Sequence, residues 1–271
     1  MSLKVRDIEE IMEQYAPSKL KESYDNVGLM VGDFDSEITS ILVALDCTLE
    51  VIQEAKDKGC NLIFTHHPML FRKPSSITTS TLTGKKIIEL IKGGINVYSS
   101  HTNLDSVKGG IGDLITIILG FNEWSIIEPS AVLGYDDNKT GIGRVVVFDE
   151  PIALVDLCQK VKDALKVPYV RSVGHDNLQI SKVAIINGSG QDYFEASRKM
   201  GVDCIITGDT TYHFASDFEE YGIGIIDAGH FSTEWPAFKL AAKKLQDEIN
   251  KLGYNNSVIL SNCSNDPYTF R

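Results

Sequence analysis

The strongest constraint on the fold is that part of the chain occurs twice. Ile38-Thr39-Ser40-Ile41-Leu42-Val43 aligns with Ile180-Ser181-Lys182-Val183-Ala184-Ile185, an offset of 142 positions (180 − 38). The offset runs without a gap through Lys56/Arg198, Gly59/Gly201, Asn61/Asp203, Ile63/Ile205 and Thr65/Thr207. A repeat of this kind calls for the same supersecondary unit in both places. In the first copy Ile38 to Leu45 reads as a strand, Thr48 to Lys58 as a helix and Cys60 to Thr65 as a buried strand. Strand, helix, strand is a β-α-β crossover, which makes its two strands parallel.

A second pairing follows at a smaller offset. Val97-Tyr98-Ser99-Ser100-His101-x3-Asp105 matches Ile226-Asp227-Ala228-Gly229-His230-x3-Glu234, with 230 − 101 = 129. Each half is then strand, helix, strand and a further strand ending in His-x3-acid. The expected fold class is α/β, with two related α/β lobes from an internal duplication.

The rest of the chain fills in around these copies. Val5, Ile8, Ile11, Met12, Tyr15 and Ala16 have helical spacing over residues 4–20, and Pro17 stops the run. Tyr24 to Asp33 is rich in turn formers, and so is Asp136-Asp137-Asn138-Lys139-Thr140-Gly141, near an expected boundary. Gly143 to Phe148 reads as a strand, Ile152 to Leu165 as a helix and Val167 to Val170 as extended chain. A last long helix is expected from Thr233 as N-cap, with Pro236 in its first turn. Its buried stripe would be Ala237, Leu240, Ala241, Leu245, Ile249 and Leu252, with Gly253 ending it and Ser257 to Ser261 closing as a strand. These elements divide into one lobe of residues 1–126 plus 240–271 and another of residues 127–239.

Charge narrows the partners. With 26 basic and 37 acidic residues the net charge is −11, which weighs against nucleic acid or an anionic membrane and favours a cation. The start, Met-Ser-Leu-Lys-Val-Arg, has no apolar signal region, and no run of eighteen apolar residues occurs, so a cytoplasmic protein is expected. Five cysteines without a Cys-x-x-Cys pair (Cys47, Cys60, Cys158, Cys204 and Cys263) read as small core residues rather than a redox or metal set.

Five of the six histidines (His66, His67, His101, His213 and His230) fall at or just beyond strand ends, where an open α/β sheet presents its chemistry. Neighbours in a strand point to opposite faces, so His66 and His67 suit two nearby ions better than one. Asp105 and Glu234 are the candidate carboxylates. With Thr233 as cap, Glu234 would open the helix and His230 would lie in the loop before it. A lone His-His doublet is compatible with a surface pair or a satisfied buried pair; repetition of His-x3-acid in both halves favours metal ligation. His213 reads equally as an acid/base or hydrogen-bonding group and as a helix-start residue. Tyr24-Asp25-Asn26 is explained by turn propensity or by function. The glycines of Ser106 to Gly112 are weak evidence for a phosphate seat, with loop geometry the default.

Taken together, Tyr24-Asp25-Asn26-Val27-Gly28-Leu29, Thr65-His66-His67-Pro68, His101-Thr102-Asn103-Leu104-Asp105 and His230-x3-Glu234 resemble the Nif-three-like family, also labelled GTP cyclohydrolase I type 2. The resemblance runs from about residue 5 to the C-terminus and is to the short members. It implies a dinuclear metal site in the cleft between the lobes, a ring-shaped homohexamer, and His66, His67, Asp105, His230 and Glu234 as ligands. His101 would then stand behind the ligands, and Tyr24 occupies a place where many members have Trp.

The function expected from this is a dinuclear-metal-dependent hydrolase of the GTP cyclohydrolase type, acting on a nucleotide or related heterocycle. Two divalent ions (zinc, manganese, iron or nickel) would be its cofactors and His101 or His213 its proton carriers. The alternative is a metal-binding regulatory or scaffold protein whose ring matters without turnover, since no P-loop or Gly-x-Gly-x-x-Gly fingerprint follows a strand.

Overall fold

A computed structural model describes residues 2–135 and 137–269. In chain order its elements are α1 (Val5–Tyr15), β1 (Gly28–Val31), β2 (Ile41–Ala44), α2 (Leu49–Lys58), β3 (Leu62–Thr65), α3 (Leu82–Gly93), β4 (Asn96–Ser99), α4 (Thr102–Ser106) and α5 (Ile111–Ile118). Then come β5 (Ser125–Pro129), β6 (Gly141–Ala153), α6 (Leu154–Leu165), β7 (Arg171–Val173), β8 (Gln179–Ser189) and α7 (Phe194–Lys199). The chain ends with β9 (Cys204–Gly208), α8 (Tyr212–Glu220), β10 (Gly224–Asp227), α9 (His230–Lys251) and β11 (Val258–Leu260).

Two compact units result. The first runs up to Leu104 and resumes at Phe238; the second is Asp105–Ala237. The division falls inside α4 and inside α9. The expected boundary after residue 126 therefore lies within the second unit. The reason is α5, which packs on β6 and β8 and is tied to β6 by the ion pair of Asp113 with the fully buried Arg144.

The first unit holds a sheet of order β1-β4-β3-β2-β11, in which β4, β3, β2 and β11 are parallel and β1 is an antiparallel edge. The second holds a sheet of order β5-β6-β8-β9-β10-β7, parallel through β8, β9 and β10 and antiparallel elsewhere. The duplication is visible in the registers. Ile41 faces Leu62 in one sheet and Val183 faces Cys204 in the other, and both residues differ by 142 (183 − 41, 204 − 62). The copies also share a fourth strand that the sequence did not reveal, since β7 lies antiparallel on β10 as β1 does on β4.

At the third strand the copies slip. Asn96 pairs with Leu62 and Gly224 with Cys204, so the strand offset is 128 (224 − 96), not the 129 of the His-x3-acid match. One extra residue lies between β10 and His230, in a turn where Gly229 takes φ +88°, a conformation that glycine adopts at little cost.

Local chemistry sets both ends of α2. The Thr48 hydroxyl accepts from Val51 N–H at the start of α2, and Gly59 ends it in the left-handed conformation. The parallel strands β2, β3, β4, β9 and β10 are buried at every residue, as strands inside a helix-covered parallel sheet are. Their side chains build a core cluster around Ile63, Val97, Val51 and Ile52 in the first unit and one around Ile205, Ile225, Phe194 and Phe218 in the second. Each fully buried aliphatic side chain contributes about 1.5–3 kcal/mol.

Several expectations need correction. The first helix ends at Tyr15, with a separate 3-10 turn at Ser18–Leu20. Residues 28–31 of the turn-rich stretch are β1. The strand expected over residues 143–148 extends over residues 141–153, with an irregularity between Val147 and Ile152. Residues 167–170 lie outside any strand, and β7 starts at Arg171. The last helix starts at His230, one turn before Thr233, so Pro236 sits inside it. Thr233 is no cap: its hydroxyl bonds back to the carbonyls of Gly229 and His230 and accepts from Gly188 N–H. Leu240 and Leu252 are exposed, whereas Ala237, Ala241, Leu245 and Ile249 are buried. Of the expected turn at 136–141, Asp136 lies outside the described residues. Among the described residues no helix is long and apolar enough to cross a membrane.

Candidate metal centre

In the first unit, β3 delivers His66 and His67 just past the C-terminal ends of the parallel strands. His66 is fully buried and its Nδ1 lies 2.9 Å from the Ser100 carbonyl oxygen. His67 Nδ1 lies 2.9 Å from Asp46 Oδ1, beyond the end of β2. His101, after β4, places its Nδ1 2.9 Å from Asp25 Oδ1. An imidazole nitrogen facing an acceptor oxygen carries the proton, so the lone pair of a neutral ring sits on Nε2. The three rings are packed together, and one ligand atom from each lies within 4.8 Å of the others.

Asp25 is held tightly. Burial by itself raises its carboxyl, but hydrogen bonds from His101 and from the Thr102 hydroxyl and N–H outweigh this and keep it far below the ordinary carboxylate range. The turn at Tyr24-Asp25-Asn26 thus has a task beyond turning: it fixes the His101 ring.

In the second unit, His230 and Glu234 stand one helical turn apart on α9, with His230 Nε2 3.0 Å from Glu234 Oε2. Two ligands each at about 2.0–2.2 Å from one ion are roughly 3 Å apart, so this spacing fits a shared ion. His230 Nδ1 lies 2.7 Å from Asp209 Oδ2. Asn187 on β8 donates to Asp105 Oδ1 at 2.9 Å and reaches Glu234 Oε1 at 3.5 Å. Asp105 and Glu234 are both buried.

Close packing dictates two residues here. A Cβ on Gly188 would come 2.1 Å from Glu234 Oε1, and one on Gly208 would come 2.6 Å from His230 N. By the repeat, these positions match Asp46 (188 − 142) and His66 (208 − 142). At 208 the obstacle is backbone, which leaves no room for a side chain; at 188 it is the Glu234 carboxylate, together with a φ of +60° that favours glycine.

His213 is an exposed residue in the first turn of α8, with its ring edge-on to Tyr212; the structure does not bond it to His230 or Glu234. The glycine stretch before α5 is tied by Asp113, whose carboxylate accepts from Gly109 N–H and from Arg144, which leaves loop geometry as its account. All five cysteines are free, and burial pushes the Cys47 thiol up to about 12, away from thiolate ligation.

Sequence reasoning missed the groups behind the rings: Asp25 as an acceptor, Asp46, Asp209, Ser100 and Asn187. Asp46 and Asp209 had a signal, since each follows an apolar strand directly.

The fold and these groups define a two-unit α/β protein with imidazole and carboxylate clusters able to bind metal. The model of the Duf34/NIF3 (NGG1p interacting factor 3) family matches residues 3–267, and the chain belongs to that family. It is 52% identical to a GTP cyclohydrolase 1 type 2 homolog of Clostridium acetobutylicum, over all of both chains. It is 51% identical to one of Clostridium perfringens, over 99% of this chain and 100% of the relative. A crystal structure of a Staphylococcus aureus hypothetical protein superposes with a TM-score of 0.91 at 31% identity, covering 100% of both chains.

Proposed function

We propose that the chain is a metal-dependent hydrolase of the cyclohydrolase type, binding two divalent ions through His66, His67, Asp105, His230 and Glu234. One observation supports this above all. Four histidines, three in the first unit and one in the second, each commit Nδ1 to an oxygen acceptor. Carboxylate or carbonyl behind an imidazole is the arrangement that orients metal-bound histidine and raises its basicity. Imidazole with carboxylate suits zinc, manganese, iron or nickel.

Ions bound there would supply Lewis acidity toward an electrophilic carbon and toward water. The protein's own part is to hold the ligands rigid and to move protons. His101, fixed through Nδ1 on Asp25, exchanges them at Nε2; His213 is the other candidate. The substrate in this reading is a nucleotide or related heterocycle, and the assembly is a homohexamer. The relatives' printed name is the ground for the cyclohydrolase class.

Protein stripped of metal and reconstituted with each of the four ions should turn over GTP or a related heterocycle only in the metal-loaded form. Metal loading without turnover of any heterocycle would favour a metal-binding scaffold instead.

A further inference from the structure

Beside the histidine cluster of the first unit stand two large aromatic residues that folding leaves in water. Tyr24 is 57% and Phe71 is 44% exposed. Their ring centroids are 6.3 Å apart at 58°, and the Phe71 ring lies edge-on to His101 at 6.4 Å. The two segments that carry them are joined, because Asn26 Nδ2 donates to the Leu70 carbonyl at 2.8 Å. Aromatic groups exposed together next to a candidate reaction centre mark a binding face rather than scattered surface apolarity.

Charge on the same loop completes the picture. Phe71 is followed directly by Arg72 and Lys73, both exposed, and neither has an ion pair among the described residues. In a chain of net charge −11, adjacent unpaired cations one step from an exposed ring stand out. Aromatic face plus cation is the combination that holds a base and its phosphate.

We propose that Tyr24 and Phe71 form the stacking face, and Arg72 with Lys73 the anion contact, of a subsite that seats an aromatic heterocycle carrying a phosphate group beside His101. The Tyr24 and Phe71 rings already touch, so the incoming ring stacks on an outer face of one and does not slot between them. The heterocycle is thereby set toward the partly exposed rings of His67 and His101, with His66 buried behind them, and the phosphate lies toward the loop of residues 71–73. The subsite rests on the reading of the histidine cluster as the reaction centre, but its binding can be measured without turnover.

The test uses GMP and guanosine as probes of the full-length chain, metal-stripped and metal-loaded, by calorimetric titration. Wild type should bind GMP about tenfold more tightly than guanosine. Phe71→Ala should weaken both by about tenfold, and Arg72→Ala/Lys73→Ala should bring GMP down to the guanosine level, with bound metal unchanged in both variants. Binding of neither probe to metal-loaded protein overturns the subsite and leaves the metal reading standing. Probe binding to protein that takes up no metal supports the subsite while the hydrolase reading falls. A Phe71→Ala variant that changes the oligomer's mass in light scattering yet binds GMP as wild type also overturns it, and assigns the aromatic pair to a contact between copies.

Discussion

The ends of two corresponding strands carry opposite chemistry. β3 runs out into Thr65-His66-His67, and its copy β9 into Thr207-Gly208-Asp209. In the first unit the strand supplies the imidazole at position 67, and a carboxylate from the neighbouring strand, Asp46, stands behind it. In the second the matching position, 209, supplies the carboxylate, and the imidazole, His230, comes from a helix. The backbone register is kept and the roles are exchanged. Gly208 and Gly188 show why: the backbone of Gly229 and His230 leaves no space for a counterpart of His66, and at 188 a φ of +60° and the Glu234 carboxylate stand against a counterpart of Asp46. Duplication preserved the sheet and the choice of edge, while helix packing decided which side chains that edge bears.

The largest effects are expected at the glycines. Gly208→Ala should destabilise the fold by about 2–3 kcal/mol, because the clash is with backbone and not with a flexible side chain. Gly201→Ala serves as the contrast. There φ is +70° but nothing lies within 4 Å, so the cost should be about 1 kcal/mol of conformational strain. Denaturant midpoints of the two variants measure the gap; equal losses would remove the steric account.

Next come the carboxylates behind the rings. Asp46→Asn and Asp209→Asn should each weaken metal binding about 10–100-fold, as loss of such a partner usually does, with little change in melting temperature. If the two differ widely, the units do not contribute alike, and competition with a chelator would show it.

The smallest expected effect is on the first unit alone. Glu54 on α2 accepts from the Ser261 hydroxyl and from the N–H groups of Asn262 and Cys263, and so pins the chain just after β11. Burial raises its carboxyl, but Lys58 and these donors outweigh that and bring it down to about 2 from an ordinary 4.5. A depressed carboxyl stabilises the fold above its unfolded value and loses that contribution as pH falls through the folded one. Glu54→Gln should therefore cost about 1–2 kcal/mol at pH 7 and progressively less from pH 4.5 toward 2. Thermal melts of both proteins across that range give the answer; a gap that widens in acid would refute the assignment.

Much of this was legible in the chain. The 142-residue offset carried the parallel pairing of β2 with β3 and of β8 with β9, because alternating apolar runs and a helix of fixed length leave few other solutions. The edge strands β1 and β7 were not legible: four and three residues long, they are defined by partners distant in sequence. The start of α9 was misread because Thr233 has the right chemistry for a cap, whereas in the fold its hydroxyl bonds to the carbonyls of Gly229 and His230 and to Gly188 N–H. His66, His67, His101, Asp105, His230 and Glu234 stood out by type and spacing. Asp46 and Asp209 carried only the weaker signal of an acid at the end of an apolar strand, and their pairing with His67 and His230 is made by folding.

Calorimetric titration of the metal-stripped full-length chain with zinc, manganese, iron or nickel should reach two ions per chain with at least one of them. His67→Ala and Glu234→Ala, one from each unit, should each lower that number. A wild-type chain that binds none of the four ions, or variants that bind as wild type does, would contradict the proposed metal centre.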